Sequence, residues 1–357
     1  MRRGMSFNSQ SSSNNNAEVV DDSLSSKAPE DIIGKISDLM KEVLVPAKRI
    51  GAIVELHKLE NSIPEFGHAL YSRPAVLSAI LLIVVQNYPQ LAVPLSSELK
   101  EVICAIAGLL QKIVRDHMIR SDFIASGSLL YLLPYMDLRE STPEAEEMRL
   151  SLLNLYLTTV NYASAEDIEM HLLYVPTDWE TKTWDAVIDT KYNLLDSAIT
   201  TLTSCISMVG KQIAVNLCYR LLTDKVIARL SEDTHRCTSL LSSLKGIVCH
   251  VVQTLYVARS QCTASGKYHK AEMVNWVREN SSLDGARRLL CLVLKCYHRI
   301  ADDERMRYSL TACLPDELKV YIPCFGDKEL GYWLKTLQSR LGYTVEKAGA
   351  RPLLTGH

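Results

Sequence analysis

The stretch Ala286–Lys319 constrains this chain more than any other part of it. Leu290, Val293, Leu294, Tyr297 and Ala301 recur at helical spacing and line one side of a helix with apolar groups. Asp302 and Asp303 then supply a turn and a cap, and a short second helix follows with Met306 and Leu310 facing inward. Pro315 stops that helix and opens another. A long helix followed by a short, sharply turned one is the building phrase of α-solenoids.

The phrase recurs. His117–Met136 reads as a short helix, a break at Gly127, then Leu129, Leu132 and Leu133 inward. Similar starts fall near Ser164, Thr223 and Ala301, at separations of roughly 47, 59 and 78 residues, against an armadillo or HEAT unit of roughly 40–47. The two long gaps become regular if insertions sit near 174–192 and 258–285. Both stretches are polar, interrupted by Pro176 or Gly266, and hold Trp179, Trp184 and Trp276. Elsewhere Val102, Ile106, Leu109, Leu110 and Ile113 form another one-sided stripe. Ser141-Thr142-Pro143 offers a hydroxyl cap, then proline where its missing N–H does no harm. No extended alternation of strand type runs at length. The expectation is an all-α, armadillo-type α-solenoid of about six repeats over 30–341, with a disordered tail at 1–29 and a flexible one at 342–357.

Composition narrows the function. Hydrophobic residues make up 47% and charged residues 22%, with 39 basic against 41 acidic side chains and a net charge of −2. That balance disfavours direct nucleic-acid binding, which rests on phosphate neutralisation. The ten cysteines show no C-x-x-C, and most lie in apolar helical runs, which suits a reducing compartment. Ala75–Val85 is the most apolar run; it ends after eleven residues at Gln86-Asn87-Tyr88-Pro89 and reads as a buried helix, so no membrane partner is expected. No signal peptide opens the chain, and Glu18, Asp21 and Asp22 argue against a transit peptide. H-E-x-x-H, G-x-S-x-G and a glycine-rich phosphate loop are all missing. His235 and Cys237 stand close in sequence, but two ligands do not make a zinc site. The reading is therefore a non-enzyme without cofactor or metal.

Several strings resemble one family closely. Arg288-Leu289-Leu290, Cys296-Tyr297-His298-Arg299-Ile300-Ala301-Asp302 and Cys313-Leu314-Pro315-Asp316-Glu317-Leu318-Lys319 are similar to the Rcd (required for cell differentiation) family, the armadillo-repeat subunit of the CCR–NOT mRNA deadenylase complex. Pro64–Pro89 aligns with that family without a gap, His117–Met136 keeps Arg120, Phe123 and Pro134, and Trp333-Leu334-x-x-Leu337 matches its closing helix. Identity between these strings is low, as in a divergent member.

The resemblance implies an adaptor or scaffold subunit linking mRNA-bound repressors to deadenylation and mRNA decay in the cytoplasm, P-bodies included, with the nucleus also open. It implies a tryptophan-accepting pocket at Thr234 (tyrosine in the family), Arg236, Arg305, Ser309 (alanine in the family), Cys313, Leu314 and Pro315. It also implies docking on the large Not scaffold subunit through Ser72, Pro74, Ser78 and Val85, on a helix where relatives carry His and Phe in place of Ser72 and Pro74. Ala79 and Val85 are the positions at which added charge tests that face. Partners implied are the Not scaffold, disordered repressor or silencing proteins, and a second copy of the chain. The alternative is a generic armadillo or HEAT peptide-binding adaptor outside mRNA turnover.

Overall fold

The helices begin where the sequence marks them. Ser96, Thr142, Ser164, Ser207, Thr223 and Asp303 each sit at an N-cap, and each side-chain oxygen accepts the N–H three residues on. Each such cap is worth about 1 kcal/mol, and together they fix where every unit turns. Gly127, at φ +69°, takes the left-handed conformation that ends one short helix and starts the next turn. Leu290, Val293, Leu294, Tyr297 and Ala301 are all buried, as are Met306 and Leu310.

The structure, a computed structural model, describes residues 30–138, 140–173, 193–264, 281–319 and 327–343. Among them every regular element is helical. In chain order these are α1 (Glu30–Val43), α2 (Arg49–Leu59), α3 (Phe66–Tyr71), α4 (Pro74–Gln86), α5 (Ser97–Arg115), α6 (Arg120–Ala125), α7 (Leu133–Met136), α8 (Pro143–Tyr162) and α9 (Ala165–Ile168). Then come α10 (Leu194–Ser204), α11 (Met208–Leu221), α12 (Asp224–Leu230), α13 (Thr234–Ala264), α14 (Ser281–Ile300), α15 (Glu304–Cys313), α16 (Asp316–Lys319) and α17 (Lys328–Arg340).

After the leading pair α1 and α2, the chain repeats one triad five times: a short helix, an outer helix or turn, and a long inner helix. That makes six units, as expected. The long helices α2, α5, α8, α11, α14 and α17 stack side by side, each packed on the next. Cross-unit hydrogen bonds carry the repeat length directly. Gln111 donates to Thr158 across 47 positions, Ser207 to Glu146 across 61, and Arg299 to the Leu222 carbonyl across 77. The expected insertion at 174–192 lies outside the described residues. The second is narrower than expected, because α13 runs on to Ala264 and α14 begins at Ser281; its remainder, 265–280, lies outside them too, as do 1–29 and 344–357.

Counted with its one-turn extension, Pro74–Ala92 is long and apolar enough to cross a membrane by length and composition, as is Thr234–Val257. The eleven-residue count from sequence stopped too early. In the fold both helices lie in the stack, with Val76, Ile80 and Val84 of one and Leu240, Leu244 and Val248 of the other buried.

One polar cluster interrupts the apolar core. Arg149, fully buried in mid-α8, donates to Glu146 at 3.2 Å, to the Leu138 carbonyl at 3.0 Å and to the Glu140 carbonyl. Glu146 in turn accepts from the Ile206 and Ser207 N–H groups at 3.1 and 3.0 Å and from the Ser207 hydroxyl at 2.5 Å. Burial pushes the Glu146 carboxyl up, but the Ser207 and Ile206 hydrogen bonds and the Arg149 charge outweigh it and hold the group below its ordinary range. Gly210 is required here, since a Cβ on it would stand 2.6 Å from Glu146 Oε1. Nearby Asp137 is the opposite case. Burial lifts its carboxyl to about 6 against a weak 3.5 Å bond from Ser197, the Asp196 charge adds to the lift, and among the described residues its Oδ1 finds no partner.

Two stability predictions follow from these two carboxyls. Glu146→Ala strands the Arg149 charge in the core and is expected to cost about 3–5 kcal/mol in chemical denaturation; a loss below about 1 kcal/mol would show that the cluster does not hold the stack. Asp137 has a raised folded-state pKa, so its stabilising contribution is complete at low pH and is lost as pH rises through about 6. Above that its charge is a net cost of up to about 3 kcal/mol. Asp137→Asn should therefore raise the melting temperature at pH 7.5 and leave it nearly unchanged at pH 4. An unchanged melt at pH 7.5 would mean that the carboxylate finds a partner in solution.

Candidate docking and peptide-binding surfaces

α4 is set by proline at its first position and by ten apolar residues among the other twelve, so its faces are told apart by packing and not by polarity. Val76, Leu77, Ile80, Ile83 and Val84 turn into the core. Pro74 and Ser78 are exposed, Leu82 is 44% exposed, and Leu81 and Val85 are half-buried. Spaced four, three or four, and three or four apart, these residues share one side of the helix. Ser72, exposed at the end of α3, binds the Ala69 carbonyl through its hydroxyl at 3.1 Å. All four positions implied for docking thus reach solvent or its margin. Ala79 does not: at 8% exposure it belongs to the core, which corrects its choice as a position for testing the surface.

The pocket positions divide into two adjoining patches around the first turn of α13. Arg236 faces α10. Its Nε and Nη2 donate to the two carboxylate oxygens of Asp196 at 2.8 and 2.9 Å, and Asp233 lies 3.3 Å from Nη1. Asp233 also accepts the Arg236 N–H at 3.0 Å, which ties the guanidinium to the start of its own helix. Leu173, Leu195, Val226 and Leu230 floor a recess of about 100 Å³ beside it, open to solvent, with Asn193, Arg229 and Asp233 also in its lining. Two carboxylates hold the edges of a planar cation, and its face stays available for stacking on a flat apolar group.

The other patch belongs to α15 and α16. Ser309 and Cys313 are half-buried, Leu314 and Pro315 are buried beneath them, and Arg305 and Thr234 stand exposed. Among the described residues no hydrogen bond or ion pair joins Arg236 to Arg305, Ser309 or Cys313. Sequence reasoning named Arg236 but missed Asp196, its partner forty positions away, and the leucine floor. A local signal existed for part of this: Asn193 caps α10, accepting the Asp196 N–H at 2.9 Å and donating to its carboxylate at 2.8 Å. An Asn three residues before an Asp marks the helix start, though not what the Asp then binds. Among the described residues no group of three His, Cys, Asp or Glu is placed to hold a metal ion.

Comparison with known proteins agrees with this architecture. The profile of the cell differentiation family, Rcd1-like, matches residues 39–174, from the end of α1 through the short turn that follows α9. The cell differentiation protein rcd1 of Schizosaccharomyces pombe is 22% identical over 270 residues, which cover 75% of this chain and 78% of that protein. Residues 39–174 of this chain are thus similar to the Rcd1-like cell differentiation family, and about three quarters of the chain is similar to a protein of that name.

Proposed function

We propose that the chain is a non-enzymatic adaptor subunit of a CCR–NOT-type deadenylase complex, joining the large Not scaffold to disordered repressor proteins. The observation that carries this reading is the presence of two accessible surfaces of different character on one solenoid. The α4 stripe is flat and apolar, suited to a constant helical partner; the Arg236 recess is small and concave, suited to single side chains of an extended one. Likeness to that family supplies the link to mRNA turnover, and the solenoid supplies a surface with no catalytic constellation needed.

In the recess, the aromatic anchor stacks on the Arg236 plane, an attraction of roughly 0.5–2 kcal/mol. In the adjoining patch, Thr234 stands where the resemblance places a tyrosine, so one aromatic wall is missing there and tryptophan preference is weaker than in relatives. Anchors of this strength hold a partner only when several act on one chain.

Affinity purification of the full chain should bring down the Not scaffold and deadenylase subunits. Recovery of a stable complex lacking them would move the protein to an adaptor role outside mRNA turnover. Ser78→Glu with Val85→Glu should abolish scaffold recovery while changing stability by no more than about 0.5 kcal/mol; a double variant that still co-purifies would rule out this face. For the recess, a multi-tryptophan peptide should bind Arg236→Ala several-fold more weakly than wild type, and for the adjoining patch it should bind Thr234→Tyr more tightly. Arg305→Glu reports on the second patch and is expected to abolish binding if both patches hold anchors. Superimposed titrations for all three variants would remove these residues from partner binding.

A further inference from the structure

Every polar side chain around the Arg236 recess is already engaged. Asn193 accepts the Asp196 N–H and donates to its carboxylate, and that carboxylate takes the edge of the Arg236 guanidinium. Asp233 accepts the Arg236 N–H and stands 3.3 Å from Nη1, and Arg229 is engaged as well. Two guanidiniums and two carboxylates cancel at the rim, so an occupant meets no charge that it could pair with, and the complement of this rim is a neutral group. Below the rim the lining is aliphatic. Val226 and Leu230 lie one turn apart on α12, Leu195 comes from the first turn of α10, and Leu173 from the turn after α9. Leu195, Val226 and Leu230 are buried, so core packing fixes the floor.

Size then chooses among neutral groups. The recess measures about 100 Å³. An apolar cavity of about 150 Å³ takes the six carbons of benzene, so this one has room for about four. That is a leucine or isoleucine side chain; an indole is about twice as large. We infer that the partner carries a branched aliphatic residue beside its aromatic anchor, and that the floor of Leu195, Val226 and Leu230 takes this residue and not the ring. The inference rests on the recess being a peptide site, as proposed above. The ring stays at the mouth, on the face of the Arg236 guanidinium, and the smaller group fills the space next to it. Alternate residues of an extended chain share one side and stand roughly 6–7 Å apart, so the aliphatic residue lies two positions from the aromatic one. Partner choice is thereby set by a pair of anchors, and a tryptophan alone leaves the floor unfilled.

The test titrates the full-length chain with a multi-tryptophan peptide carrying leucine two positions after each tryptophan, and with versions in which alanine or a further tryptophan replaces that leucine. Each carbon moved from water into an apolar site is worth roughly fourfold in affinity. For the carbons that separate leucine from alanine, in a recess open to solvent, the expected loss is about tenfold. The further tryptophan should bind no better than alanine. Val226→Phe fills the floor and should erase the preference for leucine. Leu195→Ala enlarges it and should transfer the preference to tryptophan, a swap that a general loss of stability does not produce. Thermal melts accompany both variants, and Leu195→Ala covers the case in which Val226→Phe fails to fold. Arg236→Ala should weaken all three peptides alike, since it removes only the face on which the ring lies. If wild type binds none of them, the recess is no peptide site and both readings fall. Equal binding of all three, weakened by Arg236→Ala, keeps the aromatic anchor and overturns the aliphatic one. Tightest binding of the further tryptophan to wild type overturns it too.

Discussion

The buried pairing of Glu146 with Arg149 is the contact on which the stack depends. In a solenoid each unit is stabilised chiefly by its neighbours, so one failed interface divides the molecule. Most interfaces here are apolar and tolerant, built from Leu, Ile and Val at matching positions. The one between α8 and α11 is different. Arg149 fastens the turn before α8 through the Leu138 and Glu140 carbonyls, and Glu146 fastens the start of α11 through three donors. Ser207 relays the charge onward by capping Gly210 at 2.9 Å. Three chain segments are thereby fixed in one register by groups that cannot be left unpaired.

Much of the fold was legible because its signals are local. A hydroxyl or carboxylate before an apolar run, a proline at the first helical position and a five-residue apolar stripe each need one helix to be read. Thr142-Pro143, Asp303 and the Leu290–Ala301 stripe behave as expected. What escaped depends on distant partners. Arg149 within α8 looks like an ordinary surface cation until Glu140 and Leu138 are seen to fold over it. On α4 almost every side chain is apolar, so periodicity alone could not separate Ala79, which is buried, from Ser78, which is not. The second insertion was drawn too wide because polar residues at its margins continue α13 and α14 as helix.

The candidate sites follow the same division. Sequence likeness named candidate pocket positions, and in the structure Asp196 and Asp233 hold Arg236 while Leu314 and Pro315, next to Cys313 in the chain, are buried. Leu173, Leu195 and Leu230, none of them among the positions named from sequence, make the recess apolar.

The side-by-side stacking of α2, α5, α8, α11, α14 and α17 has a mechanical consequence. Each inner helix is braced mainly by the next, so the stack is a series of springs and not a block. The α4 stripe lies in the second unit and the Arg236 recess at the fourth and fifth. A load applied between partners held at those two places passes through every intervening interface, α8 to α11 among them. The charged clasp at that junction therefore sets how stiffly those two places are coupled.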